Sequence, residues 1–205
     1  MKDNIAVMRQ CASRCRKRGL PYVVHPVGFA VLTPDDLEIL EVIATDADFG
    51  MILHDERMHN GERLSQDVGE RYRGLLRRLS RIAPVSLENS DNSGDILWFW
   101  EQFASSLTLD IGHLEAAGID SLAFVGGLDL EILRRIEHVH LHRNNGLHGG
   151  ITDHWPLTSV CRELDALKIL LGMNSGVNVI LEINETNEIS DSLNILGQVK
   201  RELGL

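Results

Sequence analysis

The feature that most constrains this chain is a repeated event: a short apolar run that closes on a histidine, aspartate or glutamate. Six such runs occur: "YVVH" (22–25), "GMILH" (50–54), "VSLEN" (85–89), "LTLDIGH" (107–113), "IEHVHLH" (136–142) and "VNVILEIN" (177–184). They are near-continuous in Val, Ile and Leu, the pattern of parallel strands covered on both faces. Helical patterns separate them. Leu64, Val68, Tyr72, Leu75, Leu76 and Leu79 form one apolar stripe, and Ile189, Leu193, Leu196, Val199 and Leu203 another. Ile5, Met8, Ala12 and Cys15 give an opening helix its buried side, and Thr33-Pro34 followed by acids marks a helix start. Strand and helix in alternation demand a parallel sheet with crossover helices, either a (β/α) barrel or a doubly wound sheet.

A length of 205 residues allows one sizeable core, and no linker or repeat divides the chain, so the expectation is a single domain over 1–205. With 43% hydrophobic and 24% charged residues it has the composition of a soluble globular protein. No apolar run approaches a membrane span, and the first residues lack the apolar core of a signal peptide. Cys11 and Cys15 lie one helical turn apart and Cys161 is distant, which is neither a disulfide framework nor a zinc spacing. These readings place the protein in a reducing cytoplasm. A net charge of −10 argues against a nucleic-acid partner, and the basic "RCRKRG" reads as a solvated helix end favoured by the dipole.

The polar residues at the strand ends separate a barrel from a generic sheet. His25, His54, Glu88, Asp110, His140 and Glu182 each fall there. Singly, each fits a turn or a satisfied core residue. Six at the carboxyl ends of successive parallel strands converge, because a barrel aims its strand tips at a common axis. Two glutamates, an aspartate and a histidine make a mixed oxygen and nitrogen site for one divalent ion such as Mn²⁺, Mg²⁺, Co²⁺ or Zn²⁺.

In order, "VSLENS", "LDIGH", "HVHLHRNNG", "DHWPL" and "VILEIN" resemble the xylose isomerase-like sugar epimerase and endonuclease IV superfamily of TIM barrels, over residues from about 20 to the end. The resemblance implies that Glu88, Asp110, His140 and Glu182 hold a divalent metal, with Glu88 and Glu182 also the acid/base pair. It implies that His113 contacts a substrate oxygen, or a further metal in the endonuclease-like branch. His25 and His54 match the histidines that end the third and fourth family strands. Arg143 offers a hold for a substrate oxygen or phosphate, with a solvated loop arginine as the even alternative, and His154 joins the substrate-contacting set. The implied activity is isomerisation or epimerisation of a sugar or sugar phosphate, one glutamate taking a carbon-bound proton to give an enediolate and the other returning one.

Two features depart from the family pattern. The endonuclease-like branch expects an aspartate two residues before the histidine of "TDH", where this chain has Thr152, with Asp153 adjacent to His154. Together with the charge, this argues against a DNA-repair role. The family's first two β/α units have no counterpart, so the expectation is an N-terminally shortened barrel of six strands. Its open edges at 22–25 and 177–184 imply a gene start that lies upstream, a partner chain such as a second copy that covers the gap, or a rearranged sheet. Two alternatives stay open: a metal-dependent phosphodiesterase, and a non-catalytic barrel that acts through association. Trp98 or Trp100 reads as core or pocket wall, "NNGLHGG" (144–150) as a lid or an inert loop, and His138 as a satisfied core residue. His59, His142 and His148 read as solvated.

Overall fold

The computed structural model describes residues 2–90, 95–144, 154–184 and 186–205. His148, Thr152, Asp153 and all of the 144–150 loop except Asn144 lie outside the described residues. Five strands form: β1 (Met51–His54), β2 (Val85–Glu88), β3 (Ser106–Asp110), β4 (Ile136–Leu141) and β5 (Asn178–Leu181). They make one sheet in the order β1-β2-β3-β4-β5, with β3, β4 and β5 paired in parallel. The expected strand at 22–25 contributes only a parallel bridge from Val24 to Met51. Pro21 and Pro26 bracket it, and proline withholds the donors a longer ladder needs.

The chain divides into two compact units, Met1–Leu87 with Phe99–Ser105, and Glu88–Trp98 with Ser106–Leu205. The first holds α1 (Lys2–Arg18), α2 (Pro34–Ala44) and α3 (Gln66–Leu79). α2 starts as its sequence predicts, with Pro34 in the first turn and Asp35 and Asp36 on the positive end of the dipole. The basic end of α1 is partly committed rather than wholly solvated. Arg16 pairs with Asp48, and the Tyr22 hydroxyl donates to Asp46 O (2.8 Å) and Asp48 Oδ2 (2.9 Å). Of the α3 stripe, Leu64, Tyr72, Leu76 and Leu79 are buried. Tyr72 sits edge-on to Phe103 (5.2 Å between centroids) and tilted against Phe99 (5.9 Å), and Trp100 is buried in the same unit.

Asp110, Asp120 and Asp129 shape the second unit by capping α5 (Ile111–Ala116), α6 (Ser121–Gly126) and α7 (Leu130–Arg135). Each carboxylate accepts from the N–H three residues on, of His113, Ala123 and Ile132 respectively. The capping explains why "LTLDIGH" is not one strand: Asp110 ends β3 by starting α5. α8 (Arg162–Met173) buries Leu164, Leu167 and Leu170, while Asn174 at its end donates to Leu133 O and Ile136 O. The last elements are less covered. β5 is half-exposed, and of the stripe expected on α9 (Thr186–Leu203) only Val199 is buried, with Leu193 and Leu203 in solvent. No helix among the described residues is long and apolar enough to cross a membrane.

The Tyr72 hydroxyl is buried with no hydrogen-bond partner among the described residues, and burial pushes its phenol well above the ordinary tyrosine range. Replacing an unsatisfied buried hydroxyl with hydrogen removes a desolvation cost. Tyr72→Phe is therefore expected to raise the unfolding free energy by about 1 kcal/mol in denaturant titration. A loss of stability would mean that the hydroxyl is satisfied.

Candidate metal centre

Parallel register decides which side chains meet. Asp110 lies opposite His140 across β3 and β4, and His140 opposite Ile180 across β4 and β5. Alternation puts Thr108 and Asp110 on one face of β3, His138 and His140 on the same face of β4, and Glu182 in step beyond β5. Glu88 is the last residue of β2. The sheet order thus lays out Glu88, Asp110, His140 and Glu182 as one row with the two glutamates outermost.

Nδ1 of His140 is the hub of this row. It lies 2.8 Å from Glu88 Oε1, 3.1 Å from Glu182 Oε1 and 3.9 Å from Asp110 Oδ2. One ligand atom from each of the four residues falls within 4.8 Å of all the others. Glu88, Asp110 and His140 are essentially closed to solvent, whereas the Glu182 side chain is 19% exposed. Burial pulls the His140 imidazole down. The hydrogen bond and charge of Glu88, with the charges of Glu182 and Asp110, outweigh that pull and hold it above its ordinary value.

Three carboxylates against one imidazole leave negative charge in a low-dielectric place, a condition that calls for a cation. Asp110 Oδ2 is buried and accepts no hydrogen bond from the described residues. Three hard oxygen donors and one nitrogen fit a divalent ion, and the unengaged oxygen gives it a ready ligand.

Around the row stand three more imidazoles. His113, His142 and His154 also bring one ligand atom each within 4.8 Å of one another. His113 Nδ1 lies 3.1 Å from Asn89 O and 3.5 Å from Asp110 Oδ2. His154 Nε2 lies 3.4 Å from Glu182 Oε2, and its ring stacks on His142 at 4.3 Å. His154 is the one non-glycine among the described residues with a left-handed backbone, φ 58°. Arg143 is half-buried, donating from Nε to Pro156 O (3.1 Å) with its guanidinium 6.0 Å from the Trp155 ring. His25 and His54 lie in the first unit, with Nε2 atoms 3.1 Å apart.

The solvated reading of His142 is overturned, because its ring is fully buried and lies 3.2 Å from Asp110 Oδ1. The sequence signal was the period-two spacing His138-His140-His142, which keeps all three on one face beyond the strand's last paired residue. His138 is buried as expected, yet its Nδ1 has no partner among the described residues, so it is not a satisfied core histidine. Two further residues that sequence reasoning passed over are Asn89 and Gly112. The Asn89 side chain donates to Asp110 O (2.9 Å) and accepts from Asp110 N–H (2.8 Å), standing in for a peptide unit.

No protein-family model matches the sequence, and a search of curated proteins finds no match. Solved structures do match. Endonuclease IV from Thermus thermophilus aligns over 98% of this chain and 83% of its own, with TM-score 0.66 and 19% identity. A xylose isomerase-like TIM barrel/4-hydroxyphenylpyruvate dioxygenase fusion protein aligns over 95% of this chain and 36% of its own, with TM-score 0.67 and 14% identity. The fold is of the TIM-barrel type, shared with these two solved structures. Identities this low carry the fold and nothing finer. In a TIM barrel the chemistry sits where the strands end, and Glu88, Asp110, His140 and Glu182 stand at the carboxyl ends of β2 to β5.

Asn89 is 1% exposed, so removing its amide strands two buried backbone groups of Asp110. Asn89→Ala is expected to cost about 2 kcal/mol or more of unfolding free energy. Asn89→Asp keeps the acceptor but sets a carboxylate oxygen against the Asp110 carbonyl, and is expected to cost at least as much. Equal stability of Asn89→Ala and the unaltered protein would show that the pairing holds nothing.

Proposed function

We propose that the protein is a divalent-metal-dependent isomerase or epimerase acting on a sugar or sugar phosphate, with Glu88, Asp110, His140 and Glu182 holding one ion. The observation that carries this reading is the row itself: two glutamates flank an aspartate and a histidine, all four converging within ligand distance. A bound divalent ion would polarise substrate oxygens and offset the charge of the three carboxylates.

The rest of the chemistry falls to the side chains. Glu182, the partly exposed carboxylate, takes a proton from the carbon beside a carbonyl, and Glu88, on the far side of His140, returns one. Return to the neighbouring carbon isomerises the sugar, and return to the opposite face of the same carbon epimerises it. His113, anchored to Asn89 O through Nδ1, contacts a substrate hydroxyl. His154 and Arg143 supply further contacts to substrate oxygens. The substrate is a small molecule, and a second copy of the chain covers the exposed strand edge.

One observation favours a second reading. The His113, His142 and His154 group lies against Asp110 and Glu182, as a centre with more than one ion would have it. Such a centre suits a phosphoester hydrolase, and the solved endonuclease IV shares this fold.

Metal analysis after loading with Mn²⁺ or Zn²⁺ separates the two readings. The isomerase reading expects one equivalent, lost or weakened at least tenfold by Glu182→Gln, and substrate-dependent proton exchange in D₂O with a panel of ketoses and their phosphates. Two or three zinc ions with phosphodiester cleavage would establish the hydrolase, and no uptake of either metal would overturn both.

Binding should also depend on pH. His140 Nδ1 must lose its proton to become a ligand, and its pKa is raised. Mn²⁺ affinity is therefore expected to fall as pH drops through that raised value, with one proton released per ion bound below it, and to level off above it. Calorimetry in buffers of different ionisation enthalpy reads the proton count.

A further inference from the structure

We infer that His142 is a positioning residue that holds Asp110 so that one carboxylate oxygen is kept for the ion. The inference rests on the metal-centre reading above and assigns a role to a residue outside the four ligands. His142 is fully buried just past β4, and its two ring nitrogens have distinct surroundings. Nδ1 accepts the backbone N–H of His154 at 2.9 Å. A neutral imidazole that accepts at Nδ1 carries its proton on Nε2. Nε2 is the atom that lies 3.2 Å from Asp110 Oδ1. The contact is off the line of a well-aligned hydrogen bond, so its attraction is chiefly that of an N–H dipole for a carboxylate.

The same Oδ1 accepts the His113 N–H at 2.7 Å. The His113 hydrogen bond and the Nε2–H dipole of His142 therefore both act on Oδ1, and together they restrain rotation of the carboxylate about its last bond. Oδ2, buried and without a hydrogen-bond partner among the described residues, is the oxygen that remains. It is also the one that faces His140 Nδ1, at 3.9 Å.

The chain makes two local concessions to keep His142 there. The first is Gly112. A Cβ on Gly112 would lie 2.1 Å from Cε1 of His142 and 2.4 Å from each ring nitrogen, so any side chain would drive the imidazole out. This accounts for the glycine in "DIGH", where backbone conformation does not demand one. The second is the left-handed backbone of His154, an arrangement unfavourable for a non-glycine residue. That backbone presents its N–H to His142 and lays its ring on His142 with 21° between the planes. Strain and a missing side chain on two separate segments both serve the placement of one imidazole.

The experiment is Mn²⁺ titration of the unaltered protein, His142→Ala, His142→Gln and Gly112→Ala, followed by calorimetry and electron paramagnetic resonance, with thermal midpoints measured alongside. His142→Ala is expected to weaken Mn²⁺ binding about 10- to 100-fold, the range for loss of an outer partner, while stoichiometry stays at one. Gln can place an N–H where the imidazole Nε2 was, so His142→Gln is expected to recover most of the affinity. Gly112→Ala is expected to match His142→Ala, because it displaces the ring without touching any ligand. Affinity within twofold of the unaltered protein in both His142→Ala and Gly112→Ala overturns the inference. So does a second equivalent of metal that His142→Ala abolishes while the first binds as before, since His142 would then be a ligand in its own right. Weakening that tracks a fall in thermal midpoint and is not rescued by Gln also overturns it, leaving a packing role. If the unaltered protein takes up no Mn²⁺, the metal-centre reading fails first, and this inference with it.

Discussion

Glu88, Asp110 and Glu182 are held with ligand atoms within 4.8 Å of His140 and of one another, in a place from which water is largely excluded. Two unit charges at about 4 Å repel by roughly 4 kcal/mol even at an effective dielectric of about 20. A chain free to relax would let these carboxylates turn outward. Three strand ends and a helix start prevent it. Glu88 is the last residue of β2, Asp110 is committed as the cap of α5, and His140 is locked in the middle of the parallel register. The raised affinity of His140 for a proton is the fold's partial answer to this crowding, and the place of that proton is where a cation would do better.

The parts of this arrangement that follow from chain periodicity were legible in the sequence. Five apolar runs became strands, and the residues marking the ends of the last four, Glu88, Asp110, His140 and Glu182, converge. The parts that depend on contact with a distant segment were not. The run at 22–25 is apolar enough to be a strand, but prolines on both sides reduce it to a bridge. The stripe on α9 has helical spacing, yet spacing does not say whether a neighbour exists to cover it, and Leu193 and Leu203 face water. His142 was misread because a histidine after the last paired strand residue resembles the start of a loop. What meets it is His154, whose backbone N–H and ring both lie against the imidazole.

Asn89 and Gly112 illustrate a third kind of information. Neither has chemistry of its own at the centre, and each is meaningful only beside what it touches: the two backbone groups of Asp110 for Asn89, the ring of His142 for Gly112. Supporting residues of this kind set how far ligands stray from productive geometry. Motif reading finds ligands more readily than supports, because a ligand is recognised by type and a support only by its neighbour.

The partial exposure of β5 and α9 bears on how the centre holds together in time. Local opening is easiest where burial is least, so these two elements lie at the low-stability end of the second unit, while β3 and β4 lie at the high end. Asp110 and His140 ride on the steadfast pair. Glu182 follows the yielding strand. Each excursion of that strand would take one of the four proposed ligands with it, and an ion gripping all four would have to let go for the excursion to occur. An ion bound as proposed would be a clasp on the least covered margin of the second unit's described residues, and occupancy of the centre and order at the end of the sheet would be one equilibrium.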